Sequence, residues 1–191
     1  MPNKRYLFLT LLLISSYAIC LMAQNKPKDP YGKVDKAEVI IKQLKPNQFT
    51  LVLTWDNDEK LAAVTYPLLV KGKDFKMRYD SVSWKGRAEY FAVKSVLPKD
   101  SLNQVLVGLL ADLTGANPPL KEDKGMLATL FFTAVPANAK KTVDICDITV
   151  DTTFMSPANT LLGVIQDGTG QIHPAYDVVK LGANGQPATC K

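Results

Sequence analysis

Residues 48–55 read Gln-Phe-Thr-Leu-Val-Leu-Thr-Trp. An extended chain puts Phe49, Leu51, Leu53 and Trp55 on one side and Thr50, Val52 and Thr54 on the other. Alternation of period two marks a strand with one face buried, because a helix would scatter the same apolar residues around its circumference. The pattern recurs along the chain. Short apolar or alternating runs fall at 38–43, 61–70, 75–84, 90–96, 104–110, 126–135, 142–150, 160–165 and 176–181. Turn residues such as Lys45-Pro46-Asn47, Asp56-Asn57-Asp58 and Gln166-Asp167-Gly168-Thr169-Gly170 separate them. Pro67 interrupts its run, which argues for an edge strand or a bulge there. Residues 104–110 are dense in Val and Leu and read as buried on both faces. No stretch carries an apolar stripe of helical spacing and length; Asp100-Ser101-Leu102 is the one candidate for a helical turn. About nine short strands with Gly/Pro turns make an all-β fold, and a domain of this size suits an antiparallel β-sandwich better than a small barrel.

The first residues set the compartment. Met-Pro-Asn-Lys-Arg is followed by an apolar run from Tyr6 to Met22, then by Ala23 and a polar stretch rich in Lys and Pro. A charged start, an apolar centre and a small residue at the boundary read as an export signal over 1–23, cleaved after Ala23. The alternative is an uncleaved anchor, for which the run lies at the short limit of a span. Cys20 raises a lipoprotein reading, but Ile19 stands where such signals want a small residue. Later apolar runs are far too short to cross a bilayer, so no span is expected after cleavage. A secreted, periplasmic or cell-surface location follows. Residues 24–36 read as an extended lead-in, 37–182 as one domain and 183–191 as a tail. Once Cys20 leaves, Cys146 and Cys190 form an even pair in an oxidising compartment. They read as a disulfide tying the tail to the body, the alternative being two free thiols.

Charge and composition exclude several chemistries. The formal charge of +5 comes from 23 Lys+Arg against 18 Asp+Glu. Lys4 and Arg5 leave with the signal, and the rest is spread out, so no basic stripe for nucleic acid is present. His173 is the sole histidine and precedes Pro174 beside a turn, a surface-loop setting rather than that of an oriented catalytic base. No nucleophile elbow, phosphate-binding loop or zinc spacing occurs. The acids that a glycosidase would need lie mostly in turns beside Gly, Asn or Lys, where solvated acids belong. Asp56-Asn57-Asp58-Glu59 is acidic but lacks the order of a helical calcium loop. No cofactor is expected, with a structural calcium on a sandwich loop as the alternative.

Two features could bind. Tyr66, Trp84 and Tyr90, with Trp55 and Tyr79, could form a stacking platform on one sheet face, although Trp55 shares its side with core residues. A polar stretch over 112–125, containing Asp112 and Asn117, is long for a compact domain, and such loops are usually functional. Tyr66, Trp84, Tyr90, Asp112 and Asn117 are therefore the candidate binding residues.

The run Leu61-Ala62-Ala63-Val64-Thr65-Tyr66-Pro67-Leu68 resembles the early strand of cohesin-like domains, and Tyr79-Asp80-Ser81-Val82-Ser83-Trp84 resembles the next stretch of that family. Val105-Leu106-Val107-Gly108-Leu109-Leu110, the Pro-bearing loop and Gly125-Met126-Leu127-Ala128-Thr129-Leu130-Phe131-Phe132-Thr133 are similar to its later core. Asp151-Thr152-Thr153-Phe154 and Asn159-Thr160-Leu161 complete the likeness over roughly 37–182. The resemblance implies a nine-stranded jelly-roll sandwich of the kind shared with cellulose-binding modules. It also implies a non-catalytic module that binds dockerins or related protein partners, with polysaccharide binding as the alternative. One module without a dockerin-like calcium repeat or a surface-layer anchor points to a stand-alone binding role in an extracellular or cell-surface assembly.

Overall fold

The computed structural model describes residues 29–190 except 113, 137, 139–141, 153–159 and 183. The export signal over 1–23, the first part of the lead-in and the segment Thr153-Phe154 to Asn159 lie outside the described residues. The strands are β1 (Lys36–Lys45), β2 (Gln48–Asn57), β3 (Leu61–Gly72), β4 (Phe75–Ser83), β5 (Val93–Lys99) and β6 (Gln104–Leu110). They continue as β7 (Asp123–Pro136), β8 (Ile148–Asp151), β9 (Leu162–Ile165), β10 (Gln171–Ile172) and β11 (Ala175–Leu181). The expected helical turn is a single 3-10 turn at Asp100–Leu102, and a second precedes β8 at Ile145–Asp147.

Two sheets result. One runs in the order β11-β1-β2-β7-β4, the other β10-β9-β3-β6-β5 with β8 also pairing β3. The described strands number eleven rather than about nine, chiefly because β10 is a two-residue partner of β9 across the Gln166–Gly170 turn. One pairing departs from the antiparallel rule: β1 and β11 run parallel, with Val39 opposite Val178. Parallel neighbours need a long crossover between them; here nearly the whole domain supplies it.

Alternation sets which residues fill the gap between the sheets. Phe49, Leu51, Leu53 and Trp55 of β2 are all at most 1% exposed, on the side the sequence assigned to them. From the other sheet Val64, Tyr66, Leu68 and Val70 of β3 and Val105, Val107 and Leu109 of β6 meet them. Trp55 and Tyr66 stack edge to face at 5.9 Å, the arrangement favoured by aromatic quadrupoles. The β1–β2 connection turns at Pro46-Asn47, where Asn47 adopts φ 61°, a left-handed conformation that Asn tolerates better than most residues.

Pro67 lies within β3, an interior strand, where the sequence allowed an edge or a bulge. It pairs with Leu106 of β6 on one side. On the other side β9 pairs with residues up to Thr65 and β8 begins at Leu69, so Pro67 falls in the gap between two short neighbours. No ladder bond is lost there, which is why a proline is tolerated.

Cys146 and Cys190 are joined, with Cα atoms 5.4 Å apart across a separation of 44 residues. The tail also bonds back through Ala188 N–H to the Lys180 carbonyl at 2.8 Å. The lead-in is more ordered than its composition suggests. Trp55 Nε1 donates to Asp35 at 2.6 Å, and Lys33 N–H donates to Asp58 at 2.9 Å. Burying the Trp55 ring obliges its indole N–H to find an acceptor, and Asp35 brings the lead-in to it.

Candidate functional site

Side chains of adjacent strand residues point to opposite faces, so burying Val105, Val107 and Leu109 turns Leu106 and Leu110 outward. The strand register then assembles an outer face row by row. Val93 of β5 lies beside Leu110 of β6, then Ala63 of β3 and Val164 of β9. The next row is Ser95, Gly108, Thr65 and Leu162, and the next is Leu97, Leu106 and Pro67. Leu97 remains 57% exposed and Val93 42%, with Leu102 at 52% just past the end of β5. This face is therefore largely aliphatic and open to water along β5, with Pro67 buried in its last row and Lys99 and Gln104 at one margin. The expectation that residues 104–110 are buried on both sides is corrected here. Their outward members are only half-buried, and contiguous exposed apolar surface of this kind marks an interaction site.

The other sheet is more polar on its outer face. Its outward residues include Lys36, Glu38, Ile40 and Lys42 of β1, Thr50, Val52 and Thr54 of β2, Thr129, Phe131, Thr133 and Val135 of β7, and Arg78, Ser81 and Ser83 of β4. Arg78 pairs with Asp80 at 3.0 Å, and Thr133 Oγ1 donates to Asp80 at 2.6 Å. The face is mixed: Thr50 and Thr54 are buried, while Val135 is 46% exposed.

The sequence-chosen binding residues are placed as follows. Tyr66 is 1% exposed, and its hydroxyl donates to the Glu38 carbonyl at 3.0 Å with the Thr54 carbonyl at 3.2 Å. It is a core residue and not part of a stacking platform. Trp84 is half-buried against the core. Tyr90 is 42% exposed; its ring packs edge to face on Phe91 and its hydroxyl donates to the Pro119 carbonyl at 2.9 Å. Asp112 and Asn117 hold the loop between β6 and β7. The Asp112 carboxylate accepts from Thr114 N–H and Oγ1, both at 2.9 Å, from Ala116 N–H at 2.7 Å and from Asn117 N–H at 3.0 Å. Those bonds draw its pKa down to about 2. Asn117 Nδ2 donates to the Ala111 carbonyl at 3.3 Å. Tyr90 and the loop thus meet, while Tyr66 is withdrawn from both.

Arg87 was not singled out in the sequence. Its guanidinium donates to the Trp55 carbonyl and Asn57 Oδ1, each at 2.9 Å, and also to the Lys121 carbonyl. It therefore clamps the end of the loop to the end of β2.

A second constellation lies where the lead-in meets the β2–β3 turn. Asp29, Asp35, Asp58 and Glu59 each bring a carboxylate oxygen within 4.8 Å of the others. Asp35 is 2% exposed. Burial raises its pKa to about 6 despite the Trp55 hydrogen bond, which acts in the opposite sense. Glu59 is raised to about 7, first by burial and then by the Asp58 carboxyl beside it. Only these acids, among the described residues, converge in a way that could hold a metal. No helix of the described residues is long and apolar enough to cross a membrane.

No protein-family model matches the chain, and no curated protein does. Solved structures do. A type I cohesin–dockerin complex from Clostridium thermocellum matches with a TM-score of 0.55 and 12% identity, over 82% of this chain and 100% of that one. The third cohesin of ScaC from Acetivibrio cellulolyticus, solved with the ScaB dockerin, gives 0.54 and 12% over 75% and 94%. The sixth cohesin of scaffoldin B from the same organism, solved with a mutant dockerin, gives 0.52 and 12% over 78% and 96%. The chain therefore has a cohesin-like β-sandwich fold, in agreement with the resemblance read from its core strands.

Proposed function

We propose that this chain is an exported, non-catalytic module that binds a protein partner of the dockerin kind through the outer face of β9, β3, β6 and β5. The outward aliphatic residues of this face, among the described residues, carry the reading. Four strands at about 4.8 Å spacing and some seven residues at about 3.3 Å make a field roughly 20 Å square. Two helices of about 10 Å diameter can lie on it side by side. Burying exposed leucine and valine there would supply the apolar centre of an interface, and Tyr90 and the Asp112 loop would stand at its rim.

The solved cohesins that share the fold were crystallised with dockerins, which supports a helical protein partner. A glycan-binding reading would need an open aromatic platform. Tyr66 and Trp55 are buried, and Trp84 and Tyr79 pack on the core, so nothing favours it. The disulfide agrees with an oxidising compartment. We assign the export signal to 1–23, the lead-in to 24–36, the binding module to 37–182 and the tail to 183–191.

Calorimetric titration of the chain with a panel of dockerin modules, and in parallel with soluble β-glucans, tests the proposal. Saturable binding of at least one dockerin and none of the glycans is expected. Binding confined to glycans, or turnover of them, overturns it.

A further inference from the structure

The geometry points to a calcium site built by Asp29, Asp35, Asp58 and Glu59 that fastens the lead-in to the β2–β3 turn. Two oxygens bound to one calcium at about 2.4 Å lie at most about 4.8 Å apart. The four acids meet that limit, with one oxygen from each within 4.8 Å of the rest.

Acids gathered at a surface are common, and a second observation separates these from such a cluster. Asp35 is 2% exposed, yet only one of its oxygens is satisfied. Trp55 Nε1 bonds Oδ2 at 2.6 Å, while Oδ1 is buried without any partner. An orphaned carboxylate oxygen in the interior is costly and calls for an explanation. The same is true nearby: Asp29 Oδ2 is also buried and unpartnered, and the buried Glu59 carboxyl meets only the carboxyl of Asp58. The ion pairs Arg78–Asp80 and Lys124–Glu38 lie outside the group, and the charge of Lys33 acts on Asp58. Gly32 lies against it so closely that an added Cβ would come within 2.5 Å of both Asp58 Oδ2 and Glu59 Oε1.

All-carboxylate oxygen ligands suit a hard cation and not zinc, which prefers nitrogen and sulfur. Waters would complete the six to eight ligands from the open side, where Tyr31, Lys60, Glu122 and Asp167 line a shallow cavity. Asp29 and Asp35 come from the lead-in and Asp58 and Glu59 from the turn, so one ion bridges the start of β1 to the end of β2. Trp55, whose indole holds Asp35, reports on it.

The test strips the full chain with chelator and titrates calcium chloride, with magnesium chloride alongside. Calorimetry measures stoichiometry, and terbium luminescence sensitised by Trp55 measures proximity. One ion per chain is expected. At free calcium 100 times the dissociation constant, the folded-to-unfolded ratio should rise about a hundredfold. Glu59→Gln should abolish the terbium signal and the calcium-dependent gain, while in chelator it is at least as stable as the parent because one converging charge is gone. Asp167→Asn, outside the four, should bind normally. Should Glu59→Gln fail to fold, Asp58→Asn takes its place. No heat and no luminescence at millimolar metal overturns the site, as does an equal calcium effect in parent and Glu59→Gln. Either failure leaves the docking face untouched.

Discussion

Chelated protein should lose stability as the pH rises from about 4 to 7, the reverse of ordinary acid denaturation. Asp35 has an unfolded-state value near 3.8 and is raised to about 6 in the fold by burial. The folded state therefore holds its proton more tightly than the unfolded state. The corresponding stability is fully present below about pH 4 and is lost as the pH climbs through about 6. For a side chain this inaccessible, a rise of that size corresponds to about 3 kcal/mol at neutral pH. Glu59, raised to about 7, acts in the same direction, reduced by its greater contact with water. Asp112 works the other way, since its pKa of about 2 confers stability above its unfolded value that is lost only on acidification below about pH 4. The two windows hardly overlap. Urea unfolding followed by Trp55 fluorescence at about pH 4, 6 and 8, in chelator and in saturating calcium, measures the effect. The midpoint should fall with pH in chelator and hold or rise in calcium, because the cation replaces the protons. A chelated midpoint that is flat or rises between pH 4 and 7 refutes the reasoning.

Further outcomes follow from the packing. Replacing both Cys146 and Cys190 by Ser opens a loop of 44 residues and should cost about 4 kcal/mol in urea unfolding on the chain-entropy model; a loss under about 1 kcal/mol would contradict it. Tyr66→Phe removes the hydroxyl bonded to the Glu38 carbonyl at 3.0 Å. It should cost about 1–2 kcal/mol while leaving partner affinity unchanged, and an affinity loss at unchanged stability would show Tyr66 to be a contact residue.

The sandwich was legible because alternation at Phe49, Leu51, Leu53 and Trp55 states both the secondary structure and the buried side. Tyr66 could have been assigned from the same rule: Val64, Tyr66, Leu68 and Val70 share its phase and are all buried. Its aromatic identity suggested a platform where the phase indicated a core. The docking face was hidden for another reason. Val93, Leu97, Leu106 and Leu110 come from two strands, and only the register of β5 on β6 puts them side by side. A run rich in Val and Leu looks the same whether its second face is covered by protein or left open for a partner. The acid cluster was half visible, since Asp58 and Glu59 are adjacent but Asp29 and Asp35 join them only through the fold. Asp112 and Asn117 drew notice as polar loop residues, yet their polar atoms are engaged by the loop's own backbone.

The most direct measurement compares Leu97→Asp/Leu106→Asp with the parent in the dockerin titration, alongside amide exchange of the parent in the bound and free states. Both leucines point outward, Leu97 57% exposed and Leu106 half-buried, so the double variant should still fold at a cost of about 1–3 kcal/mol, which its melting temperature checks. Affinity should fall at least tenfold, and binding should slow exchange along β5, β6 and β3. Undiminished affinity in the double variant, with slowed exchange appearing instead on β1, β2, β7 and β4, would contradict the assignment.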